Sequence, residues 1–364
     1  MKLRAVLILF IASFSFASAR QYDDVYFNIM HLSQQGDHSK IVESKDMILS
    51  YPDRQLRNDL VLALAYAQLN LFSFKDFELG LSYLVNPTPH QAATAHHLMG
   101  LYYLYQMDNA SATVEFRLAI EGLSPNSGAY YQASNNYSKA LNGTKANPDK
   151  VNVLIDRVIG HSIQTGDSSL LSVALLNKAA SYPENKKELI EQSFRIEATA
   201  NKSTALLMMS SILANKTGVL EMALEANRQT DLNSPLPLRY LEMQMIKLSL
   251  AKDAASNNPE KAIGILKGLL RDTLFLPKRL YFRALNELSG AYMAKGRADS
   301  SAYYLMVSSQ IDIPDDEETY LVQLPDLLNE ISESEKSRKV FLAVSIISGM
   351  VFLFFLARIF QTRQ

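Results

Sequence analysis

Residues Ala93 to Pro125 read ATAHHLMGLYYLYQMDNASATVEFRLAIEGLSP. The spacing predicts two short helices closed by a tight turn. His96, Met99, Gly100 and Tyr103 recur at the three-and-four interval of one helix face, and Ala112, Phe116 and Ala119 do the same on the second. Gly100 and Ala112 are small where paired helices would cross closely, and Tyr103 and Phe116 fill the space beside the crossing. A lone hairpin cannot bury such a face, so the stretch requires stacked neighbours.

Neighbours are legible on both sides. In Asn58–Pro89, Val61, Leu64 and Ala65 stand where the central unit has His96, Met99 and Gly100, and Phe77, Leu81 and Leu84 replace Ala112, Phe116 and Ala119. Tyr22 to Pro52 predicts an earlier pair: Val25, Ile29 and Leu32, then Ile41, Ile48 and Leu49, turned at Gln35-Gly36-Asp37. Ile29, Ala65 and Gly100 fall about 35 residues apart, the interval of a repeat. Near the other end, Leu238–Ala251 and Pro259–Leu270 form a pair with Ala262, Leu266 and Leu269 on the second helix. A last unit runs from Asn286 to Pro314, with Gly290 as its close-packing residue, Gly296 in the turn, and Ala302, Met306 and Ser309 on its second helix. Between Gly128 and Ser234 no register is assigned. Helices are predicted over Val151–Ile163, Leu170–Ala180, Lys187–Ala200, Thr204–Leu213 and Val219–Arg228, with breaks at Pro125–Gly128 and Asn142–Thr144.

The central unit resembles a tetratricopeptide (TPR) repeat: a bulky residue, then a small one, an aromatic, A-x-x-x-F and a proline. His96 and Asn286 stand where that family has tryptophan, and Pro125 falls one residue late. The resemblance implies an all-α chain, a right-handed TPR-like α-solenoid of antiparallel helix pairs across residues 20–320. It also implies that the concave groove holds a protein or peptide. Its ligand-facing positions correspond to Asp59, Leu62, Tyr66, Leu69 and Asn70, then Thr94, His97, Leu101, Leu104 and Tyr105. In the last unit they are Ala284, Glu287, Ala291, Ala294 and Lys295. Of these, Asp59, Tyr66, Asn70, Thr94, His97, Leu101, Tyr105, Glu287 and Lys295 are the candidate binding residues.

The two ends predict export and anchoring. Residues 1–19 carry Lys2 and Arg4, an apolar run from Ala5 to Phe16, and Ala17-Ser18-Ala19 in the form of a cleavage site, which together read as a signal peptide. Val340 to Ala357 is uncharged and of bilayer length, so residues 340–360 are predicted to form one C-terminal transmembrane helix, with 361–364 as a cytoplasmic tail. Residues 321–339, with Leu324, Leu327, Leu328 and Ile331, predict a capping helix or stalk before the span. Ser345 and Gly349 make a small-xxx-small pair that would allow a homodimer through the span. Placed this way, the repeats face the periplasm from a bacterial inner membrane, which the absence of cysteine in an exported chain also favours.

Composition narrows the chemistry. A formal net charge of −1 leaves no polycationic footprint for nucleic acid, and zero cysteines exclude disulfides, thiolate metal sites and cysteine nucleophiles. His96 and His97 are adjacent, about 100° apart on a helix, and so cannot chelate one ion as i, i+4 histidines do. No zinc-protease, nucleophile-elbow, Walker or dinucleotide motif is present. The acidic run Asp315–Glu318 follows Pro314 and reads as an acid-rich helix start rather than a calcium loop. The expectation is therefore a non-enzymatic binding protein without cofactor or metal. Its architecture is similar to the extracytoplasmic part of membrane-anchored TPR sensors and regulators, which implies envelope signalling. An assembly or secretion scaffold is the alternative, and a helical-repeat hydrolase or lyase ranks third.

Overall fold

The computed structural model describes residues 24–311 apart from 145, 197–201, 214–215, 230–235 and 272–274. The expected signal peptide, capping segment, membrane span and tail lie outside the described residues. The chain is all-α, and among the described residues there is no strand and no helix long and apolar enough to cross a membrane. In order, the helices are α1 (24–35), α2 (His38–Glu43), α3 (Lys45–Leu49), α4 (Arg54–Asn70), α5 (Phe74–Ser82), α6 (Pro89–Tyr105), α7 (Asn109–Gly122), α8 (Gly128–Gly143) and α9 (Pro148–Thr165). Then come α10 (Ser168–Ser181), α11 (Lys186–Arg195), α12 (Lys202–Ser210), α13 (Lys216–Gln229), α14 (Leu236–Ala255), α15 (Pro259–Leu270), α16 (Lys278–Ala294) and α17 (Ala298–Ser309).

Local sequence fixes where these helices start. Asp53, Asp108, Ser127, Asn147, Asp167 and Asn258 each accept a hydrogen bond from a backbone N–H of the first turn that would otherwise be unpaired. At α6, Thr88 and Gln91 form a reciprocal capping box behind Pro89. The predicted second helix of the first unit divides at Ser44, whose Oγ donates to the Lys40 carbonyl, giving α2 and α3. At Asn142–Thr144, where a break was expected, α8 continues through Gly143 and stops only at Thr144.

Helix crossings follow residue size. At Gly100 an added Cβ would lie 2.6 Å from Cε1 of Phe116, so α6 and α7 approach as closely as the sequence implies. Phe116 and Ala112 are fully buried in the same contact. The last pair differs from expectation by one residue. Gly290 is exposed, with nothing within 4 Å of its Cβ position, and Met306 is 54% exposed. The crossing of α16 and α17 is made instead by Ser289 and Ser301, whose hydroxyls are 2.8 Å apart, backed by Leu305 and Ser308. Ser172 and Ser193 repeat the device between α10 and α11, also at 2.8 Å. A serine is nearly as small as alanine, and pairing the two hydroxyls removes the cost of burying them.

Buried apolar residues form a strip of successive clusters rather than one central core. Ile29, Ile41 and Leu60 belong to the first, Leu62, Phe77, Leu101 and Phe116 to the next, then Val151, Ile155 and Ala174, then Leu176 and Ile190, then Leu220 and Ile246. A buried amide ladder ties the α4–α5 pair to α6: Asn58 bonds both backbone groups of Val85, and Gln91 donates to the Gln55 carbonyl and to Asp59. The last cluster breaks the sequential order. Tyr105 of α6 joins Leu241, Leu266, Leu280 and Leu288, so early and late parts of the chain meet.

Candidate functional site

That meeting sets the geometry of the interior. Phe72, in the α4–α5 turn, packs edge-on against Phe275 with centroids 5.0 Å apart, Tyr240 at 5.5 Å and Tyr105 at 5.8 Å. The Tyr105 hydroxyl donates to the Phe275 carbonyl. Leu238 of α14 packs against both the α4–α8 cluster and the late cluster. Helices α4 and α6 both touch α14, so the early and late helices of the described chain pack together.

The predicted binding residues distribute unevenly on this framework. Tyr105, Asn70 and Leu101 are buried, at 1%, 2% and 7% exposure; Tyr105 serves the clasp, and Asn70 donates to the Tyr66 carbonyl of its own helix. Asp59 accepts from Gln91 at 2.7 Å, and Tyr66 receives the His38 ring edge-on at 5.6 Å. Thr94 donates to the His90 carbonyl at 2.9 Å. Glu287 pairs with Lys252 at 3.5 Å and Lys295 with Glu260, so both bridge the last two helix pairs and do not join the α4–α6 set. His97 lies where α6 faces α8: its Nε2 is 3.1 Å from Nδ2 of Asn136, and its ring stands edge-on to Phe116.

Beyond the His97–Asn136 contact, α8 and α14 bring together polar residues that the sequence did not single out. Asn136 and Lys139 lie one turn apart on α8, and Glu242 of α14 faces Lys139 closely enough to act on its charge. Glu242 is held by Ser203 Oγ at 3.1 Å, by Thr204 Oγ1, and by Asn227 Nδ2 at 3.2 Å; Arg239 donates to the Asn227 carbonyl at 3.1 Å. Lys139 keeps solvent-exposed surface although protein surrounds it, and desolvation pushes its ammonium below the usual lysine range. It has no hydrogen-bond or ion-pair partner among the described residues. A signal for Lys139 existed: fully buried Ser138 precedes it as Gly100 precedes Leu101, so counting serine among the small residues would have extended the pattern to α8.

Burial pushes the His97 imidazole down to about 4. The unfolded chain, with an ordinary histidine pKa, therefore takes up a proton first as pH falls. The stability associated with neutral His97 is fully present above about pH 6.5 and is lost as pH drops towards 4, by roughly 3 kcal/mol. His97→Gln, which keeps an amide for Asn136, is expected to remove most of that slope in denaturant titrations run between pH 4 and 7. An unchanged slope would place the titrating group elsewhere.

Chemically, the interior offers a neutral imidazole, an amide, an unpaired amine and a carboxylate already engaged by three donors. Among the described residues no group of three acidic or histidine side chains is arranged to hold a metal ion. No family model matches the chain, and no curated protein matches it.

Proposed function

We propose that the chain is a membrane-anchored helical-repeat binding protein of the TPR type, a right-handed solenoid whose inner face holds a polypeptide partner outside the cytoplasmic membrane, in the service of envelope signalling. The observation that carries this reading is the set of partly exposed polar residues His97, Asn136, Lys139 and Glu242 on α6, α8 and α14. The anchor rests on the uncharged run at Val340–Ala357 and the export on residues 1–19.

A photo-crosslinking amino acid placed at Thr94 or Lys139 in cells is expected to capture a polypeptide, whereas the same probe at Val153 or Met222, both more than half exposed, is not. Equal capture from both sets, or none from the interior, would overturn the groove reading. Removing residues 340–364 is expected to release the protein from the membrane fraction; retention there would overturn the anchor.

A further inference from the structure

A lysine can hold a carbonyl compound covalently only while some of its amine is neutral, and in water near pH 7 less than about one part in a thousand is. Lys139 departs from that ordinary case through its place on α8. Ser138 and Ala140 on either side of it are fully buried, and Ala140 packs in the cluster of Leu101 and Phe116, so the helix is fixed with Lys139 on its open face. The residue keeps solvent-exposed surface and bonds no carboxylate or carbonyl among the described residues. Protein on its other sides strips water from the ammonium and favours the neutral amine, and the Glu242 charge opposes this without outweighing it.

The polar groups beside it are committed elsewhere. One turn back on α8, Asn136 has its Nδ2 3.1 Å from Nε2 of His97. Glu242 of α14 accepts from Ser203 Oγ at 3.1 Å, from Thr204 Oγ1, and from Asn227 Nδ2 at 3.2 Å. Those donors hold the carboxylate in place near the amine without tying the amine down. An accessible, partnerless amine beside a fixed negative charge suits condensation with a carbonyl, because the protonated imine that results is a cation in its turn.

We propose that Lys139 is a covalent attachment site for a small aldehyde or ketone. The amine nitrogen adds to the carbonyl carbon, and the carbonyl oxygen ends as a hydroxyl on the resulting carbinolamine. Loss of that hydroxyl leaves a C=N bond, with both amine hydrogens departing in the water released. Nothing is oxidised or reduced. Solvent then protonates the imine nitrogen, and Glu242 balances its charge. This inference goes beyond the holding of a polypeptide and does not require one.

The test uses the full-length protein in detergent at pH 7.5. Butanal with cyanoborohydride, which reduces the imine as it forms, records each lysine that condenses as a mass increment on its peptide. Lys139 is expected to react at least tenfold faster than Lys75 on α5 and Lys150 on α9, both exposed. Glu242→Gln is expected to raise the Lys139 rate at least twofold, since the charge that favours the ammonium is gone. Lys139→Arg is expected to abolish the fast phase with the helical circular dichroism unchanged. A Lys139 rate no higher than that of Lys75 or Lys150, a rate in Glu242→Gln at or below the parent's, or a fast phase that survives Lys139→Arg would each overturn the proposal. No polypeptide partner enters the measurement, so its result is separate from that of cross-linking in cells.

Discussion

Gly100→Ala is expected to destabilise the protein by about 2 kcal/mol, while the same change at Gly290 is expected to stabilise it by up to about 1 kcal/mol. Both glycines are interior to helices, so alanine gains the same backbone propensity at each, close to 1 kcal/mol. The difference lies in what the new methyl meets. At position 100 it would sit 2.6, 2.7 and 2.8 Å from three atoms of the Phe116 ring, and Phe116 is itself fully buried and cannot swing away. Overpacking of that kind costs roughly 1–3 kcal/mol or more and outweighs the propensity gain. At position 290 nothing lies within 4 Å, and only the gain remains. Thermal or denaturant unfolding of the two single variants, with two-state behaviour checked by coincident probes, reads both signs. If Gly100→Ala proved as stable as the parent, the close crossing of α6 and α7 would be refuted, and with it the basis of the repeat.

The contrast between those glycines also shows how far residue pattern alone carries. Helix existence was readable almost throughout, because the apolar positions keep the three-and-four interval and the caps are the residue types that satisfy free N–H groups. Register was readable where glycine or alanine marks the crossing, as at Gly100 and Ala112, and was misread in the last unit, where Ser289 and Ser301 make the contact beside an idle Gly290. Serine is polar on its own and acceptable at a crossing only when a partner hydroxyl faces it, a condition that depends on the other helix. Helix α8 was passed over for the same reason: its buried face carries Ser134, Asn135 and Ser138, which look like loop residues until Asn177 is seen to bond Asn135 at 2.8 Å. The interior site is hidden further, since Lys139 and Glu242 are about a hundred positions apart and become neighbours only through the curl of the array.

Tyr105→Ala is expected to cost about 4 kcal/mol and to open the array, because Tyr105 is both a buried ring and the residue that joins α6 to the segment before α16. Backbone geometry shows that this contact is built in and not incidental. Among the described residues, seven inter-helix connections place a residue in the left-handed region: Gly36 at φ 72°, Phe72 at 59°, Asn86 at 46°, Met107 at 59°, Asn126 at 70°, Gly166 at 70° and Gly296 at 74°. Glycine adopts that conformation freely; a bulky side chain there costs on the order of 1–2 kcal/mol. The two turns that carry bulky residues are those whose side chains reach the late cluster, where Phe72 and Met107 pack against Tyr105 and its neighbours. The strain is therefore borne where a side chain is needed to close the structure. Phe72→Gly should relieve the strain and lose the packing, Phe72→Ala should lose the packing and keep the strain, and so the alanine variant is expected to be the less stable by about 1 kcal/mol. Each should raise the radius of gyration in solution scattering, and hydrogen exchange should quicken in α14 and α16 before it does in α9 and α10. If Tyr105→Ala left the scattering profile unchanged, the early and late helices would be held together by something other than this aromatic contact.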